Sequence, residues 1–442
     1  MFPDEQSQSA AMTRRAAQVL PDGGSRSTTR IVPHGIFVAS GAGPAVTDLD
    51  GNRLIDFNNN YTSLIHGHAH APTVAAIREQ AGRGTAWSFG SVPEVELAEL
   101  LCERTAHFER IRFCNSGTEA VMNAIKAARA FTGRAKIAKC EGAYHGSYDF
   151  AEVSLGSAPE NWGDPDAPES VAYARGTPDS VLQNVVVIPF NDPVAARAIL
   201  EAHRDELAAV LFDPVSSRVG MVPPRADFLD MLADFQASGD VLLIADEVIA
   251  YRQAFGGEAA ALGLKPDLTA LGKIIGGGLP VGAVAGRVEV MAVFQDGGGK
   301  ARLPHGGTFN ANPLTMAAGL ATMRDWTAEA VAAVNGLAQS CREQLTAVLR
   351  GANIPGQVTG QGSLFRIHLH NRELSGYRTA HMTAEEAARM ETLFRDMINA
   401  GFYLTPYGLG CLSTAMTADH IAGLAAAFRA GLRRLQVDGA FN

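Results

Sequence analysis

A short hydrophobic run that ends abruptly in charge is the clearest pattern in the chain. Residues 241–245 read Val-Leu-Leu-Ile-Ala and are followed directly by Asp246 and Glu247. A run of this length without polar alternation is typical of a strand buried on both faces of a parallel sheet. Open α/β sheets bind ligands at the carboxyl ends of their strands, so the pattern predicts Asp246 at the rim of a binding site.

A second hydrophobic run, residues 268–271, leads into a single lysine and a run of glycines. Residues 272–278 read Gly-Lys-Ile-Ile-Gly-Gly-Gly. Apolar flanks would desolvate the Lys273 amine, which lowers its pKa and makes it a nucleophile. Glycines allow backbone or a flat ligand to come close. The plain alternative is a loop lysine, with Asp246 as a strand-end cap.

A helix-capping pattern follows the apolar stretch at residues 111–114. Ser116 and Glu119 have the spacing of a capping box, and Val121 and Ile125 then recur at helical spacing. The free amides and the dipole of a helix N-terminus attract anions. The pattern therefore predicts a strand followed by a helix, whose start is either a simple cap or a phosphate site.

Further periodic segments predict the other elements of an α/β fold. In chain order these are a helix within residues 1–20, a hairpin at 46–57, strands at 185–189 and 210–213, a helix at 314–326, a strand at 362–370, a strand and turn at 401–408, and a helix from about 417. Residues 152–183 are rich in Pro, Gly, Asp and Glu without clear periodicity. A long irregular segment of this kind indicates a functional lid or a mobile loop.

The strand predicted at residues 362–370 has two different faces. Phe365, Ile367 and Leu369 form a wholly apolar face, which we expect to pack on the helices of a small domain. His368 belongs to the other face. We expect it at the surface of the strand rather than among the ligands of a site.

Composition describes an ordinary globular enzyme. The 442 residues are 47% hydrophobic and 19% charged, enough for two or three domain-sized units with a large core. The formal net charge of −9 argues against a nucleic acid or a membrane as the main partner. No apolar run approaches about 18 residues, and residues 1–24 lack an apolar signal core. We therefore expect a cytoplasmic protein.

Cysteine and histidine usage gives no sign of a metal centre. The five cysteines are scattered, with no CxxC pair, so neither a disulfide framework nor a zinc site is indicated. His66, His68 and His70 alternate along the chain, but no cluster of carboxylates or cysteines accompanies them. We expect no metal here.

The combination of Asp246 with residues 272–278 resembles the core of the class III, fold-type I aminotransferases, which use pyridoxal 5'-phosphate (PLP). The resemblance is strongest to the group of glutamate-1-semialdehyde aminomutases and β-amino acid transaminases. It implies an α/β fold with a mostly parallel sheet flanked by helices, plus a smaller α/β domain built from both termini. The implied division is 1–75 and 326–442 for the small domain and 76–325 for the large PLP-binding domain.

The resemblance also implies roles for residues that hold the cofactor. Lys273 would form the Schiff base with PLP and then carry the proton, and Asp246 would pair with the pyridine nitrogen and keep the ring an electron sink. The other implied cofactor-binding residues are Ser116, Gly117 and Thr118 at the phosphate, Tyr144 on the ring face, and His145 beside it.

A segment at residues 305–313 resembles the part of the family that crosses a dimer interface. Its threonine, Thr308, would reach the phosphate of the neighbouring subunit. The resemblance therefore implies a homodimer with shared active sites. Taken by itself, the segment favours a Gly-Thr turn that caps the next helix.

Three arginines are candidates for binding a substrate carboxylate, because a guanidinium grips a carboxylate with two hydrogen bonds. Arg26 matches the β-amino acid transaminase position, and Arg30 is nearer the aminomutase position. Arg218 stands where the family has a small or amide residue. The chain also departs from the family in carrying Asp213-Pro214 instead of Glu-Pro, and Tyr407 where some β-amino acid transaminases have arginine.

The function implied is a PLP-dependent aminotransferase that moves an amino group from an amino acid, including a β-amino acid, or an amine to a keto acid. The spacing from Asp246 to Arg252 is shorter than in the aminomutases, which favours the transaminases. The alternative is glutamate-1-semialdehyde 2,1-aminomutase. A PLP-binding protein without turnover is a further reading, against which the presence of both Lys273 and Asp246 argues.

Overall fold

The computed structural model describes residues 2–237, 239 and 241–441. Its strands are β1 (Val38–Ala42), β2 (Ala45–Asp48), β3 (Arg53–Asp56), β4 (Arg110–Cys114), β5 (Lys136–Cys140), β6 (Gly163–Asp164), β7 (Ala167–Pro168), β8 (Val185–Ile188), β9 (Leu207–Phe212), β10 (Leu242–Asp246), β11 (Leu268–Gly272), β12 (Gly282–Gly286), β13 (Gln357–Thr359), β14 (Leu364–His368), β15 (Phe402–Tyr403) and β16 (Leu409–Cys411).

Helices alternate with these strands along most of the chain. They are α1 (Gln8–Ala16), the single turn α2 (Asn59–Thr62), α3 (Ala71–Arg83), α4 (Val92–Arg104), α5 (Gly117–Thr132), α6 (Asp149–Glu152), α7 (Asp179–Leu182), α8 (Pro193–Ala202), α9 (Ala226–Ala237), α10 (Glu258–Ala261), α11 (Val288–Met291), α12 (Pro313–Asp325), α13 (Ala328–Gly351), α14 (Tyr377–Ala380), α15 (Ala384–Asn399) and α16 (Ala418–Val437).

A seven-stranded sheet in the order β4-β12-β11-β10-β9-β5-β8 forms the centre of the molecule. Strand β12 runs antiparallel to both of its neighbours, and the other pairings are parallel. The predicted strand at 241–245 is confirmed as β10, which is buried along its whole length. The predicted mostly parallel sheet flanked by helices is also confirmed.

Helices cover both faces of this sheet, which explains why its strands read as continuous apolar runs. On one face α5 buries Val121, Ala124 and Ile125 against the strands. On the other face α9 buries Phe228 and Phe235. Burying one such large side chain is worth about 1.5–3 kcal/mol, so these helices hold the sheet and the loops at its edge in place.

A smaller domain combines both ends of the chain. Its four-stranded sheet has the order β1-β2-β3-β15, in which the C-terminal strand β15 pairs in parallel with the N-terminal strand β3. The hairpin predicted at residues 46–57 is confirmed as β2 and β3. A three-stranded sheet, β13-β14-β16, completes the domain. The boundaries at residues 75 and 325 stay a prediction.

Strand β14 joins the small domain to the large one. Phe365, Ile367 and Leu369 lie in the same hydrophobic core as residues of α13, α15 and α16, as predicted. The expectation that His368 lies at the strand surface is wrong, because this side chain is only 3% exposed. Its Nε2 lies 3.1 Å from the carbonyl oxygen of Gly220, since the segment after β9 packs over this face of the strand.

Residues 152–183 are mostly irregular, as predicted, and contain only the short elements β6, β7 and α7 beyond the end of α6. The segment is anchored from the C-terminal part of the chain: Arg378 donates hydrogen bonds to the carbonyl oxygens of Trp162 and Gly163 at 2.6 and 2.7 Å. Its role as a lid stays a prediction. Among the described residues, no helix has the length and hydrophobicity needed to cross a bilayer.

Candidate active site

A cavity of about 360 Å³ opens at the carboxyl edge of the central sheet. It gathers side chains that the sequence analysis singled out from four separate segments. Prominent among its lining residues are Ser116, Thr118, Tyr144, His145, Asp246 and Lys273. The cavity lies where the end of a parallel strand predicts a ligand site, and it contains an amine, a carboxylate and a helix N-terminus.

Lys273 begins a 3-10 turn directly after β11. Its backbone has a φ of +49°, in the left-handed region that non-glycine residues rarely adopt and that often marks functional sites. Burial lowers the pKa of the amine, while the nearby carboxylates of Asp246 and Asp213 oppose that shift. A larger fraction of the amine is therefore neutral and nucleophilic than in a solvent-exposed lysine.

Asp246 is held in a fixed orientation by two hydrogen bonds. Its Oδ2 accepts from His145 Nδ1 at 2.8 Å, and its Oδ1 accepts from the Val248 backbone amide at 3.0 Å. Burial lowers the pKa of His145, although the contact with Asp246 opposes that shift. A neutral imidazole that donates from Nδ1 leaves Asp246 as the charged member of the pair. Such a carboxylate suits a cationic ring nitrogen.

The N-terminus of α5 is the candidate anion site: the predicted strand and helix are confirmed as β4 and α5, and phosphate binding stays a prediction. Ser116 caps this 16-residue helix, and its Oγ accepts from the Glu119 amide at 3.1 Å. A Cβ at Gly117 would lie 2.8 Å from Val248 Cγ1, so the helix approaches the strand end as closely as glycine allows. Free amides at a helix start bind phosphate well.

Thr118 connects the helix start to the loop that carries Tyr144 and His145. Its Oγ1 accepts a hydrogen bond from the Ser147 amide at 3.1 Å. A Cβ at Gly146 would come within 2.5 Å of the same Oγ1, and the φ of +86° at Gly146 also favours glycine. The loop that carries Tyr144 and His145 therefore packs directly against the start of α5. Tyr144 is 46% exposed and lines the cavity.

A second carboxyl group, Asp213, lines the same cavity after the end of β9. Burial and the neighbouring Asp246 raise the pKa of Asp213 well above its usual value. Its Oδ1 accepts from the Val215 amide at 3.0 Å. The Asp-Pro departure noted in the sequence therefore places a second buried carboxyl group, with a raised pKa, beside Lys273 and Asp246.

The turn Asn59–Thr62 reaches the cavity by an unusual backbone path. Its four residues have φ values of 47°, 49°, 52° and 73°, so the turn is left-handed. This conformation costs about 1–2 kcal/mol per residue for most side chains. Asparagine, which occupies two of the four positions, is enriched at positive φ. The turn places Asn60, followed by Ser63, on the cavity wall.

Buried groups stabilise this turn from both sides. Asp56 Oδ1 accepts from the amides of Asn58 and Asn59 at 2.8 and 2.9 Å. Arg252, which is fully buried, donates from Nη1 to the Thr62 carbonyl oxygen at 2.8 Å. The rigid packing around the turn offsets the strain of its backbone.

A larger cavity of about 1080 Å³ adjoins the first, because Asn60 and Gly278 line both. Arg26 and Arg30 line the larger cavity. Arg26 donates from Nη1 to Asn60 Oδ1 at 3.0 Å, whereas Arg30 Nη2 lies 4.0 Å from Asp22 Oδ1. The structure thus brings two of the three candidate arginines toward the site.

Arg218 is the candidate arginine that the structure does not bring to either cavity. Its Nη2 donates to the Leu155 carbonyl oxygen at 2.8 Å, and the residue is exposed. Its guanidinium therefore helps to hold the irregular segment at residues 152–183. The sequence left open whether Arg218 binds the cofactor or substrate or forms an ion pair elsewhere, and its role in binding a substrate carboxylate stays a prediction.

Thr308 lies outside the cavity of its own chain and is exposed, as is Phe309 at 59%. The loop around it nevertheless contacts the anion site, because Asn115 Nδ2 donates to Asn310 Oδ1 at 2.7 Å. The resemblance implied that Thr308 reaches the phosphate of a neighbouring subunit. That role stays a prediction.

The three alternating histidines each have separate partners. His66 bonds to the Thr322 carbonyl oxygen at 3.0 Å, His68 to Asp56 at 2.7 Å, and His70 Nε2 lies 3.3 Å from Asp325. Across the described residues, no three or more metal-ligating side chains come together. These histidines tie the site's walls to neighbouring elements.

The residues present fit PLP. A flat ring needs a cavity with an open face, its phosphate needs backbone donors, and its aldehyde carbon needs an amine. The cavity offers the α5 N-terminus, the Lys273 amine and the Asp246 carboxylate on one surface. In addition, His145 Nε2 is buried and has no partner among the described residues, so this nitrogen remains available to a bound group.

Comparison with known proteins identifies the class of enzyme that this fold and site define. Residues 27–417 match the family described as aminotransferase class-III, and the chain belongs to that family. It is a PLP-dependent aminotransferase, which transfers an amino group from an amino acid or amine to a keto acid.

Several characterised relatives are similar over nearly the whole chain. An omega-transaminase from Sphaerobacter thermophilus is 48% identical, with a TM-score of 0.95 over 97% of this chain and 98% of the other. A β-phenylalanine aminotransferase from Variovorax paradoxus is 34% identical, with a TM-score of 0.87 over 97% and 94%. A glutamate-1-semialdehyde 2,1-aminomutase from Methanothermobacter thermautotrophicus is 37% identical over 416 residues, 93% of this chain and 96% of that protein.

Proposed function

We propose that this enzyme transaminates β-amino acids, with Lys273 and Asp246 as catalytic residues and Arg26 as the ligand of the substrate carboxylate. The observation that carries the proposal is the position of Arg26. It lines a cavity that adjoins the Lys273 cavity, with Asn60 and Gly278 on the wall of both. Similarity to the β-phenylalanine aminotransferase supports the same substrate class.

The chain's own groups divide the chemistry among them. Bound PLP supplies a ring that withdraws electrons from the carbon bearing the amine. Lys273 would hold the cofactor through its amine, and the freed amine would act as base and then as acid toward the proton of the substrate carbon. Asp246 would keep the ring nitrogen charged. Ser116, Gly117 and Thr118 would hold the phosphate.

Two side chains complete the proposed site around the ring. Tyr144 covers one face of the cofactor, and His145 orients Asp246 through the hydrogen bond of 2.8 Å. The neutral His145 leaves the negative charge of Asp246 available for the ring. Arg30 remains the second candidate for the substrate carboxylate, because it also lines the larger cavity.

The larger cavity has room for a sizeable side chain. Phe37, Leu54, Tyr61 and Tyr403 are among its lining residues, so an aromatic or aliphatic group would lie against apolar surface. A β-amino acid would then place its carboxylate at Arg26 and its amine toward Lys273. An unpaired carboxylate in a partly closed site would be costly, which is why the arginine is needed.

The enzyme is further proposed to act as a homodimer with shared active sites. Thr308 is exposed in the single chain, and Phe89 is 88% exposed and Phe309 59% exposed. Val95, itself 55% exposed, lines one groove together with residues of the loop that precedes α12. Large exposed apolar side chains of this kind favour a partner surface.

A second candidate function is that of glutamate-1-semialdehyde 2,1-aminomutase, since relatives of that name share up to 38% identity with this chain. The two functions differ in a simple requirement. An aminomutase converts one substrate without a separate keto acid, whereas a transaminase stops after one half-reaction unless pyruvate or 2-oxoglutarate is supplied. Product formation with and without the keto acid therefore separates them.

The test of the proposed substrate class is a matched pair of substrates. 1-Phenylethylamine is β-phenylalanine without its carboxylate group, so Arg26→Ala should raise the Michaelis constant mainly for the amino acid. Loss of a charge-assisted contact worth about 1.5–3 kcal/mol corresponds to roughly a 10- to 150-fold effect. Arg30→Ala, measured in parallel, tests the second candidate: a rise for the amino acid in this variant instead of in Arg26→Ala would assign the carboxylate to Arg30. Equal effects on both substrates in Arg26→Ala would reject Arg26 as the carboxylate ligand.

A further inference from the structure

Asn60 connects the candidate carboxylate ligand to the cofactor cavity. Its Oδ1 accepts from Arg26 Nη1 at 3.0 Å. Its Nδ2 donates to Ser63 Oγ at 3.1 Å, and the same hydroxyl donates back to the Asn60 carbonyl oxygen at 2.9 Å. These bonds use both ends of the amide, so they define which way it faces. The oxygen points to the guanidinium.

The neighbouring residue attaches the same N-terminal segment to the turn. The Tyr61 hydroxyl donates to the carbonyl oxygen of Thr28. Two consecutive residues of the turn therefore hold the segment that carries Arg26. Asp56 and Arg252 fix the backbone of the turn by hydrogen bonds. The turn is therefore a rigid attachment point for an N-terminal segment that is otherwise mostly exposed.

The backbone conformation restricts which residues can serve at this position. Asn60 has a φ of +49°, which glycine, asparagine and aspartate accept more readily than other residues. Glycine has no side chain to offer Arg26. Aspartate would accept the same hydrogen bond, but its charge would pair with the guanidinium and compete with an incoming carboxylate. Asparagine alone combines the backbone tolerance with a neutral acceptor.

We propose that Asn60 is a positioning residue that aims the Arg26 guanidinium at the substrate without neutralising its charge, and so sets the preference for substrates with a carboxylate. This proposal rests on the role proposed above for Arg26. It adds a reason for the left-handed turn: the strain places a neutral amide oxygen where an arginine of the N-terminal segment can reach it.

The test compares three variants on β-phenylalanine and 1-phenylethylamine. Asn60→Asp should raise the Michaelis constant for β-phenylalanine by roughly 3- to 10-fold, a range limited because exposed ion pairs are weak. Asn60→Gly removes the acceptor without adding backbone strain and should raise the Michaelis constant for β-phenylalanine by about 2- to 5-fold. For 1-phenylethylamine the Michaelis constant of each variant should stay within about twofold of that of the parent enzyme.

Asn60→Ala separates the side chain from the backbone. It should match Asn60→Gly in the kinetic comparison but lower the melting temperature relative to Asn60→Gly by about 1–3 °C, since alanine tolerates positive φ poorly. If Asn60→Gly and Asn60→Asp both leave the β-phenylalanine constant unchanged, or change both substrates equally, the proposal is overturned.

The variant Arg26→Ala, measured in parallel, shows which idea has failed. If Arg26→Ala does not discriminate between the two substrates, the proposed carboxylate ligand is wrong, and the role of Asn60 falls with it. If Arg26→Ala discriminates and the Asn60 variants do not, only the positioning role is wrong. Discrimination by Arg26→Ala together with Asn60→Asp and Asn60→Gly supports both.

Discussion

Replacing Asp246 by asparagine tests the electrostatic part of the mechanism with little change in shape. The carboxylate accepts two hydrogen bonds, from His145 Nδ1 at 2.8 Å and from the Val248 amide at 3.0 Å. Asparagine has one acceptor oxygen, so its amino group must face one of these donors. That mismatch costs about 1–3 kcal/mol in a buried site.

The loss of charge is the larger effect. Asp246 is 5% exposed, so solvent screens it little. One unit charge at contact distance, with an effective dielectric constant near 20, is worth about 4 kcal/mol, which corresponds to roughly a thousandfold in rate if it is fully expressed in the transition state. We expect Asp246→Asn to slow the single-turnover half-reaction by about 100- to 1000-fold while PLP stays bound through its phosphate.

The assay is stopped-flow absorbance of the bound cofactor after mixing with an amino donor, with cofactor content measured separately. Asp267→Asn is the matched control, because Asp267 is equally buried at 6% and accepts from the Leu243 amide at 2.8 Å. It lies before the start of β11, away from the end that carries Lys273. A parent-like single-turnover rate in Asp246→Asn would refute the electrostatic role.

Two further predictions concern assembly and acid stability. Light scattering under assay conditions should show a dimer. Thr308→Ala should weaken PLP binding while the protein remains a dimer. A fully active monomer would contradict both expectations. Burial lowers the pKa of His66 to about 4 and that of His368 to about 3 from 6.5. Below pH 6.5 these histidines therefore bind protons in the unfolded chain but stay neutral in the folded chain. As the pH falls from 6.5 toward the folded-state pKa, the free energy of unfolding decreases by up to about 1.4 kcal/mol per histidine per pH unit. In urea denaturation His368→Gln should reduce this acid loss, and an unchanged pH dependence would contradict the burial argument.

The central sheet and the helix starts could be predicted because local sequence encodes them. A strand covered on both faces leaves a continuous apolar run, as in β10. The Ser116 cap and the Glu119 amide meet at 3.1 Å, as the capping pattern required. Glycines mark the segments where the backbone has no room for a Cβ near the site, and these glycines can be read directly from the sequence.

Contacts between distant segments could not be predicted in the same way. The burial of His368 depends on Gly220, which lies far away in the chain and leaves no periodic trace around the strand. The left-handed turn depends on Arg252, 190 residues after Thr62. Its run of asparagines is a weak hint at positive φ, but the hint does not reveal the buried arginine that supports it.

The candidate arginines show the same difference between what local sequence predicts and what contacts between distant segments decide. Motif position alone left Arg26, Arg30 and Arg218 as alternatives, because an arginine's long side chain can reach in several directions. In the structure Arg218 donates to the Leu155 carbonyl oxygen, whereas Arg26 donates to Asn60 Oδ1 on the wall shared by both cavities.

The central claim is that Lys273 is the residue to which PLP bonds, and covalent mapping tests it most directly. The PLP-loaded enzyme would be reduced with borohydride, digested, and analysed by mass spectrometry for the peptide that retains the cofactor. Lys139 is an internal control: it is fully buried, and burial lowers its pKa to about 7, as burial also lowers the pKa of Lys273. Its amine donates to the Val153 carbonyl oxygen at 2.8 Å and is absent from the cavity lining.

The account predicts label on the Lys273 peptide alone, and neither label nor transamination in Lys273→Ala. Lys139→Met, if it folds, should retain the label at Lys273. Stable attachment to another lysine, or turnover near the parent rate in Lys273→Ala, would contradict the assignment of the site.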